Sequence, residues 1–588
     1  MPTCWESLGI HSFESAADHM WQTWAVLLAY AQEADSSLDR CMLMSLFHAI
    51  TDFTPTGGEL KKESLAKDYL RCLLQTTNAT LAREFDDLWS EYKQGESQVA
   101  RRVRDACACA YAVQDGNLDG TIRTGEELSQ LRKSVLSLDL GNFMDLLLDE
   151  IKAPDQTESA TLMNAITVGQ AYWNTPSESF ELVSKAMETV PSTSPLTFLR
   201  LTQRLAKIDR AGWVRRGISS TKVEKVSGHS WRMAILGWVL VSQQGEINRI
   251  ECINMNCAHD MGEALVADVT PHDGISRGDK QTHERHGQEL LVYTLKVPNP
   301  FAATLLRRLL TTFEEGNELE AKVGHDIDSA ECRAQAVEYA RRYKNTKISG
   351  KTKTIGKTIE EDFLTPEPKM NLSEVQKFAE LLSQELATSL SRREDICIVF
   401  VLGGPAVGKG TQCKQLARKH GFHHISVGEL LDEPSPFADF IIESKREYVI
   451  IPAQLTVSLL QDEMSRGLSD GKRVFVIDGF PRSIDQASYF DEIISDHYST
   501  ILFDCSESVM TERSIARAEV AKKAGKERVD DNPITIAKRV KDFRKKNEPV
   551  ETYLKQHGPF QEIPSDGSQD EVRSSFEPAV LEKINGKF

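Results

Sequence analysis

The sequence predicts a multidomain fold: two all-α helical domains followed by an α/β domain built on a parallel sheet. Three observations carry that expectation. The chain has 588 residues, too many for one core at a loose ~150 residues per domain. Up to residue 345 the apolar positions recur at helical spacing, as in Met233, Leu236 and Leu240. From Ile396 onward the pattern changes to short β-type runs, ICIVFVL, VFVID and TILFD, separated by helical stretches. That alternation belongs to a parallel sheet covered by helices.

In chain order, 1–190 and 195–345 are the two helical domains. KNTKISGKTKTIGKTIEEDF, polar and followed by TPEP, reads as a linker, with a helix over 373–390; together they fill 346–394. Residues 395–588 form the α/β domain. The helical domains read as copies of each other. FESAADHMW carries Glu14, His19 and Trp21, and VEKVSGHSW carries Glu224, His229 and Trp231 at the same spacings. Cys41 precedes His48 by seven residues, as Cys252 precedes His259, and a Thr-Pro follows each (Thr54-Pro55, Thr270-Pro271). Such a repeat suits an intramolecular pseudo-dimer, with a homo-oligomer of whole chains as a further arrangement.

Charge bounds the partners. Seventy Lys and Arg stand against 87 Asp and Glu, a net charge of −17, which disfavours a nucleic-acid polymer or an anionic membrane as partner. Eleven cysteines without a CxxC pair indicate neither a disulfide framework nor a structural zinc knuckle. The N-terminus shows no basic stretch leading into an apolar run, and no run of about 18 uncharged apolar residues occurs. The expected location is the cytoplasm, with the nucleus as alternative.

In the second copy His229, the pair His259-Asp260 and Asp328 offer imidazole and carboxylate donors for a divalent ion. Such an ion (Mn, Co, Zn or Mg) would activate water and polarise a phosphoester. Glu263, one helical turn beyond Asp260, stands where a proton-handling group would sit, and Asp268 is a second candidate. The order His, His-Asp, Asp resembles the HD phosphohydrolase superfamily. The wording DRAGWVRRGI, EKVSGHSWRMA and AHDMGEALVADVTPHDGI is most similar to its 5′-deoxynucleotidase branch. The resemblance implies His229, His259, Asp260 and Asp328 as metal ligands, Glu263 as catalytic, and Arg210 and Trp213 as readers of sugar and phosphate. Gly228 departs from the family, which has an acid before that histidine. A di-iron oxygenase of the same superfamily would need two more histidines. His283 and His286 in QTHERHGQE fit that spacing poorly, and a solvated helix face explains them better. In the first copy the pair has become His48-Ala49, and Asp105 is the nearest match to the last ligand; an inactive domain is expected there.

After ICIVFVL comes GGPAVGKGTQ, in which Gly403, Gly404, Gly408, Lys409, Gly410 and Thr411 give the GxxxxGK phosphate loop between a strand and a helix. With ISVGELL (Gly428), VIDGFPRSIDQ and ERVDDN, this segment resembles the nucleoside monophosphate kinases, especially the UMP/CMP and adenylate kinases. The resemblance implies Mg and ATP at Lys409 and Thr411, with Asp478 holding the metal through water. Arg482 would hold the acceptor phosphate and Gln486 read the acceptor base. Arg513, Arg517, Arg528 and Arg539 match the lid arginines. Residues 513–546 hold twelve Lys/Arg against five Asp/Glu, as charge spread over a transferring phosphoryl group requires. Two departures stand out: Asp432 where the family places an arginine, with Arg446 as a candidate substitute, and a longer lid. Together the motifs imply a bifunctional enzyme on small nucleotides, a metal-dependent phosphohydrolase joined to a kinase. Asp432 and the degraded first copy also fit a nucleotide-sensing regulator in which one or both sites bind without turnover.

Overall fold

The computed structural model describes residues 16–50 (save 34), 60–115, 125–152, 195–268 (save 242–244), 276–348 (save 344), 353–363, 369–390, 396–523 (save 448) and 533–585. Its helices begin α1 (Ala16–Ala29), α2 (Leu38–Ser45), α3 (Leu60–Thr77), α4 (Ala79–Gln94), α5 (Gln98–Asp115), α6 (Gly125–Ser134) and α7 (Leu138–Lys152). Then come α8 (Leu196–Gln203), α9 (Ala211–Arg215), α10 (Val226–Leu240), α11 (Arg249–Ala258), α12 (Glu263–Val266), α13 (Arg277–Lys296), α14 (Pro300–Glu315), α15 (Leu319–Tyr343), α16 (Ile355–Phe363) and α17 (Ser373–Leu390). The chain divides into two compact units, one of residues 1–53 and 78–390, the other of 54–77 and 391–588.

The first unit is helical, and the repeat is visible in it. α1 and α10 carry His19 and His229, while α2 and α11 end shortly before His48 and His259. α4 and α14 are both 16 residues long, each capped by an asparagine (Asn78, Asn299) whose side chain accepts an amide of the first turn, and each closed by a left-handed glycine, Gly95 (φ 70°) or Gly316 (φ 62°). The copies also exchange contacts. The Trp21 indole donates to the Cys257 carbonyl at 2.9 Å, and the Trp231 indole donates to the Leu46 carbonyl at 3.1 Å. Each acceptor lies two residues before the histidine that follows its helix. Ser227 Oγ donates to Asp18 at 2.5 Å, and a Cβ at Gly228 would lie 3.5 Å from the same oxygen. The acid that position 228 lacks is therefore brought close by the other copy.

The described part of the expected linker packs into the core. Ile348, Ile355 and Ile359 with Leu382 and Leu386 of α17 bury against Trp213, Val337 and Tyr339. Ile355 and Ile359, four residues apart, give α16 an apolar edge that its Lys/Thr-rich surroundings conceal in the sequence.

The second unit holds a five-stranded parallel sheet in the order β2-β3-β1-β4-β5: β1 (Cys397–Gly403), β2 (His423–Ser426), β3 (Val474–Asp478), β4 (Ser499–Asp504) and β5 (Phe560–Pro564). Its helices are α18 (Lys409–His420), α19 (Val427–Leu430), α20 (Ala438–Arg446), α21 (Ala453–Ser469), α22 (Ile484–Ile493), α23 (Glu507–Lys523), α24 (Pro533–His557) and α25 (Gln569–Asn585). Alternate β1 residues feed two cores, Ile398, Phe400 and Leu402 on one face and Cys397, Val399 and Val401 on the other. α3 belongs to this unit. Leu65, Tyr69 and Cys72 join the first of these cores, and the Tyr69 ring lies 6.0 Å from Phe437 and 5.4 Å from Phe440. By order in the repeat α3 is the counterpart of α13, which stays in the helical unit against α14. The described cysteines are free thiols, and among the described residues no helix is long and apolar enough to cross a membrane.

Candidate functional site

In the helical unit α10, α11 and α15 converge on one cluster. His229 is fully buried, with Nε2 3.2 Å from Asp328 Oδ1 and Nδ1 2.5 Å from Glu331 Oε2. His259 Nε2 stands 3.0 Å from Asp260 Oδ2, which also lies 3.2 Å from Arg210 and 3.9 Å from His229 Nε2. The donor atoms of His229, His259 and Asp328 lie within 4.8 Å of one another. His259 Nδ1 hydrogen-bonds the Asn256 carbonyl at 2.8 Å, so Nε2 is left to face the cluster. Neither buried Nε2 has a hydrogen-bond partner of good geometry, the condition of imidazoles set up as ligands.

Electrostatics agree. Burial alone would lower the His229 imidazole, as would Arg210, but Glu331 and Asp328 outweigh both and hold it at about 10. Against the opposing effect of burial, His229 holds Asp328 down to about 2, and His259, Arg210 and His229 hold Asp260 well below the usual carboxylate range. The pocket draws positive charge. Two imidazoles and two carboxylates fit a borderline divalent cation. Glu263 is different: burial first, then the Asp260 and Asp268 charges, push its carboxyl well above normal. Asp268 accepts the Ala211 amide at 2.7 Å, so it anchors the turn that carries Arg210 besides facing Glu263.

Trp213 corrects the expectation of a ligand reader. It is buried in the core, stacked on Phe363 at 5.3 Å and edge-on to Tyr339. His283 is also buried rather than on a solvated face, and among the described residues neither it nor His286 joins a metal-competent group. Several residues escaped the sequence reading. Glu331 orients His229 and is itself bound by Arg232 at 3.0 Å. Its signal was the one-turn spacing from Asp328. Lys280 and Glu284, paired at 3.2 Å, lie on α13 close enough to act on the site's acids. α13 comes in by close backbone approach, since a Cβ at Gly287 would meet the Gly262 carbonyl at 2.7 Å. Asp105, expected as the last ligand of the first copy, instead accepts the Leu136 and Ser137 amides.

In the second unit a cleft of about 1000 Å³ opens at the carboxyl end of the sheet. It is lined by the 403–411 loop, Gly428, Lys445, Asp478, Arg482, Gln486, Arg513 and Arg517. Gly403 (φ 147°), Ala406 (φ 57°) and Gly408 (φ 98°) curl the loop, and Lys409 Nζ rests on the Gly403 and Gly404 carbonyls at 2.8 Å each. Asp478 accepts from His424 Nε2 at 2.6 Å. Gln486 is buried, accepting the Arg482 amide at 2.9 Å and donating to the Ile451 carbonyl at 2.9 Å; it shapes the wall of the cleft as well as lining it. Arg513 donates to the Ser565, Asp566 and Gly567 carbonyls. Arg528 and the side chain of Arg539 lie outside the described residues.

An adenylate kinase model matches residues 401–559, and an HD domain model matches 3–126 and 202–365. The chain belongs to the adenylate kinase family by its C-terminal part and carries HD domains ahead of it. Uridylate kinase of Saccharomyces cerevisiae is 32% identical over 196 residues, 94% of that protein and 32% of this chain. UMP-CMP kinase of Prunus armeniaca is 39% identical over 186 residues, 76% of its length and 31% of this chain. Adenylate kinase 1 of Schistosoma mansoni is 35% identical over 192 residues, 90% of its length and 32% of this chain. Within this kinase domain Asp432 is paired with Lys445, a lysine that lines the cleft. Arg446, the candidate substitute, is exposed and bound to Glu443 at 3.2 Å, because the helical turn at the end of α20 sends consecutive side chains in different directions.

Proposed function

We propose that the chain is a bifunctional nucleotide enzyme. Its second HD domain (195–345) hydrolyses (deoxy)nucleoside 5′-monophosphates, and its kinase domain (395–588) phosphorylates a nucleoside monophosphate, UMP/CMP or AMP, from Mg-ATP. The observation that supports the hydrolase most is the convergence of the His229 and His259 Nε2 atoms on Asp328 and Asp260, at 3.2 and 3.0 Å. A divalent ion held by His229, His259, Asp260 and Asp328 would supply an activated water and a polarised phosphoryl oxygen. Arg210, beside Asp260, offers its guanidinium to the substrate phosphate. Glu263, whose carboxyl burial and the Asp260 and Asp268 charges push upward, is placed to hand a proton to the departing sugar oxygen. In the kinase, Lys409 leaves the Gly403 and Gly404 carbonyls for the ATP phosphates, while Arg482 and Lys445 take the acceptor phosphate. The ion pair that neutralises Asp432 favours turnover over sensing. The first HD domain is proposed as a non-hydrolytic partner in a pseudo-dimer with the second, supported by the exchanged indoles, and the protein is proposed to work in the cytoplasm.

The test is a panel of monophosphates assayed for phosphate release with Mn²⁺ or Co²⁺ and, separately, for ATP-coupled transfer. Asp260→Ala should abolish only release, and Lys409→Ala only transfer. No release from any monophosphate by the metal-loaded wild type would overturn the hydrolase reading.

A further inference from the structure

The first HD copy lacks the chemistry of the second, yet it keeps the geometry. His19 and His48 lie with ring centroids 5.2 Å apart at 63°, and His229 and His259 lie 5.5 Å apart at 63°. His48 Nδ1 hydrogen-bonds the Ser45 carbonyl, three residues back, at 2.7 Å, as His259 Nδ1 does with Asn256. That bond fixes the proton on Nδ1 and turns a lone pair on Nε2 inward. His48 is 5% exposed, and its buried Nε2 has no hydrogen-bond partner.

The third donor comes from a register that the sequence obscured. Asp105 and Cys107 are the eighth and tenth residues of α5, and Asp326 and Asp328 are the eighth and tenth of α15. Asp105 accepts amides ahead of α7, and Asp326 accepts the Asn371 amide ahead of α17. Asp105 therefore matches Asp326, and Cys107 stands where the second copy has its ligand Asp328. Cys107 Sγ lies 3.3 Å from His19 Nε2, and the donor atoms of His19, His48 and Cys107 all fall within 4.8 Å of one another.

We propose that His19, His48 and Cys107 form a second metal site, specific for zinc. With Zn–S about 2.3 Å and Zn–N about 2.0–2.1 Å, tetrahedral geometry sets the N···S separation at about 3.6 Å, close to the distance observed. The donor set has changed from hard to soft. Ala49 replaces the Asp260 carboxylate, a thiolate replaces Asp328, and Ala110 replaces Glu331. Two neutral imidazoles and one thiolate suit zinc and reject magnesium or manganese. The fourth position falls to water beside the half-buried Cys107, and the ion serves to hold α1, α2 and α5 together.

The test uses the full chain, stripped of metal and titrated anaerobically with Co²⁺. A thiolate ligand gives a near-ultraviolet sulfur-to-cobalt charge-transfer band, which the all-nitrogen-and-oxygen site of the second copy does not. The band is expected in wild type at one equivalent, retained in His259→Gln, and lost in both Cys107→Ser and His48→Gln. Zn²⁺ added after cobalt should remove it, and Mg²⁺ should not. Far-ultraviolet circular dichroism and kinase activity report whether each variant is folded. Absence of the band in wild type, or its persistence in Cys107→Ser, would overturn the site, and neither result bears on hydrolysis by the second copy.

Discussion

The exchanged indoles make a measurable claim: a residue of the first copy governs the order of His259, the second copy's proposed metal ligand. Cys257 is the penultimate residue of α11, and the amide four positions on, Met261, is already given to the Ala258 carbonyl. The Cys257 carbonyl is thus one of the orphan acceptors at a helix end, and the Trp21 N–H fills it. Trp21→Phe keeps an aromatic ring and removes the donor. Leaving that acceptor buried and unmet costs about 1–3 kcal/mol, and the void left by the smaller ring adds on the order of 1 kcal/mol. A local destabilisation of about 2–4 kcal/mol accelerates amide exchange through local opening by roughly 30- to 700-fold. Hydrogen-exchange mass spectrometry on peptides spanning 249–265 reads it directly, and Trp231→Phe should loosen 38–50 in return. Wild-type exchange over 249–265 in Trp21→Phe would refute the reasoning, even if α1 itself became more mobile.

Further outcomes are expected. Tyr69→Ala should lower the stability of the kinase unit by about 3 kcal/mol, read as faster exchange over 438–446 while α10 keeps its protection. Asp432→Asn should release Lys445 and reduce the KM for the acceptor monophosphate by roughly 2- to 5-fold, the worth of an exposed ion pair, with kcat little changed in steady-state assays. Asp491, partly buried beneath the hydroxyls of Tyr553 at 2.7 Å and Tyr498 at 3.4 Å, has its carboxyl pushed up to about 6, chiefly by burial. Its folded pKa lies above its unfolded one, so the stability it contributes is complete below about pH 4 and is lost as pH rises through 6. Thermal melts of Asp491→Asn should match wild type near pH 4 and exceed it at pH 8; equal melting temperatures at both would contradict that. Gly287→Ala should press α13 away from Gly262 and reduce phosphate release at least 10-fold without affecting transfer.

Much of this was legible in the residues because it is local. The phosphate loop is a contiguous run whose glycines have one steric purpose, and the His-Asp pair sits in wording specific enough to place its partners a hundred residues away. What escaped depends on three-dimensional register. Asp105 is the nearest match to the last ligand along the chain, yet α5 places Cys107 level with Asp328 and turns Asp105 to cap a neighbouring turn. The resemblance gives Trp213 to a ligand, but α16, whose Phe363 stacks on it, has the polar composition of a linker. Lys445 rather than Arg446 reaches the cleft, a difference of about 100° around a helix that no linear motif records.

The placement of α3 has a consequence for how the gene can be divided. The backbone passes between the two bodies at 53/54, at 77/78 and again at 390/391, so neither is encoded by one uninterrupted stretch. A fragment beginning at 391 would be synthesised without Leu65, Tyr69 and Cys72, and Phe437 and Phe440 would lose the Tyr69 ring that packs near them. Ribosomal order matters too: the helix emerges more than 300 residues before the sheet it will join, and must wait for it. Supplying residues 54–77 as a separate peptide, or grafting them ahead of 391, is the natural way to make that fragment whole.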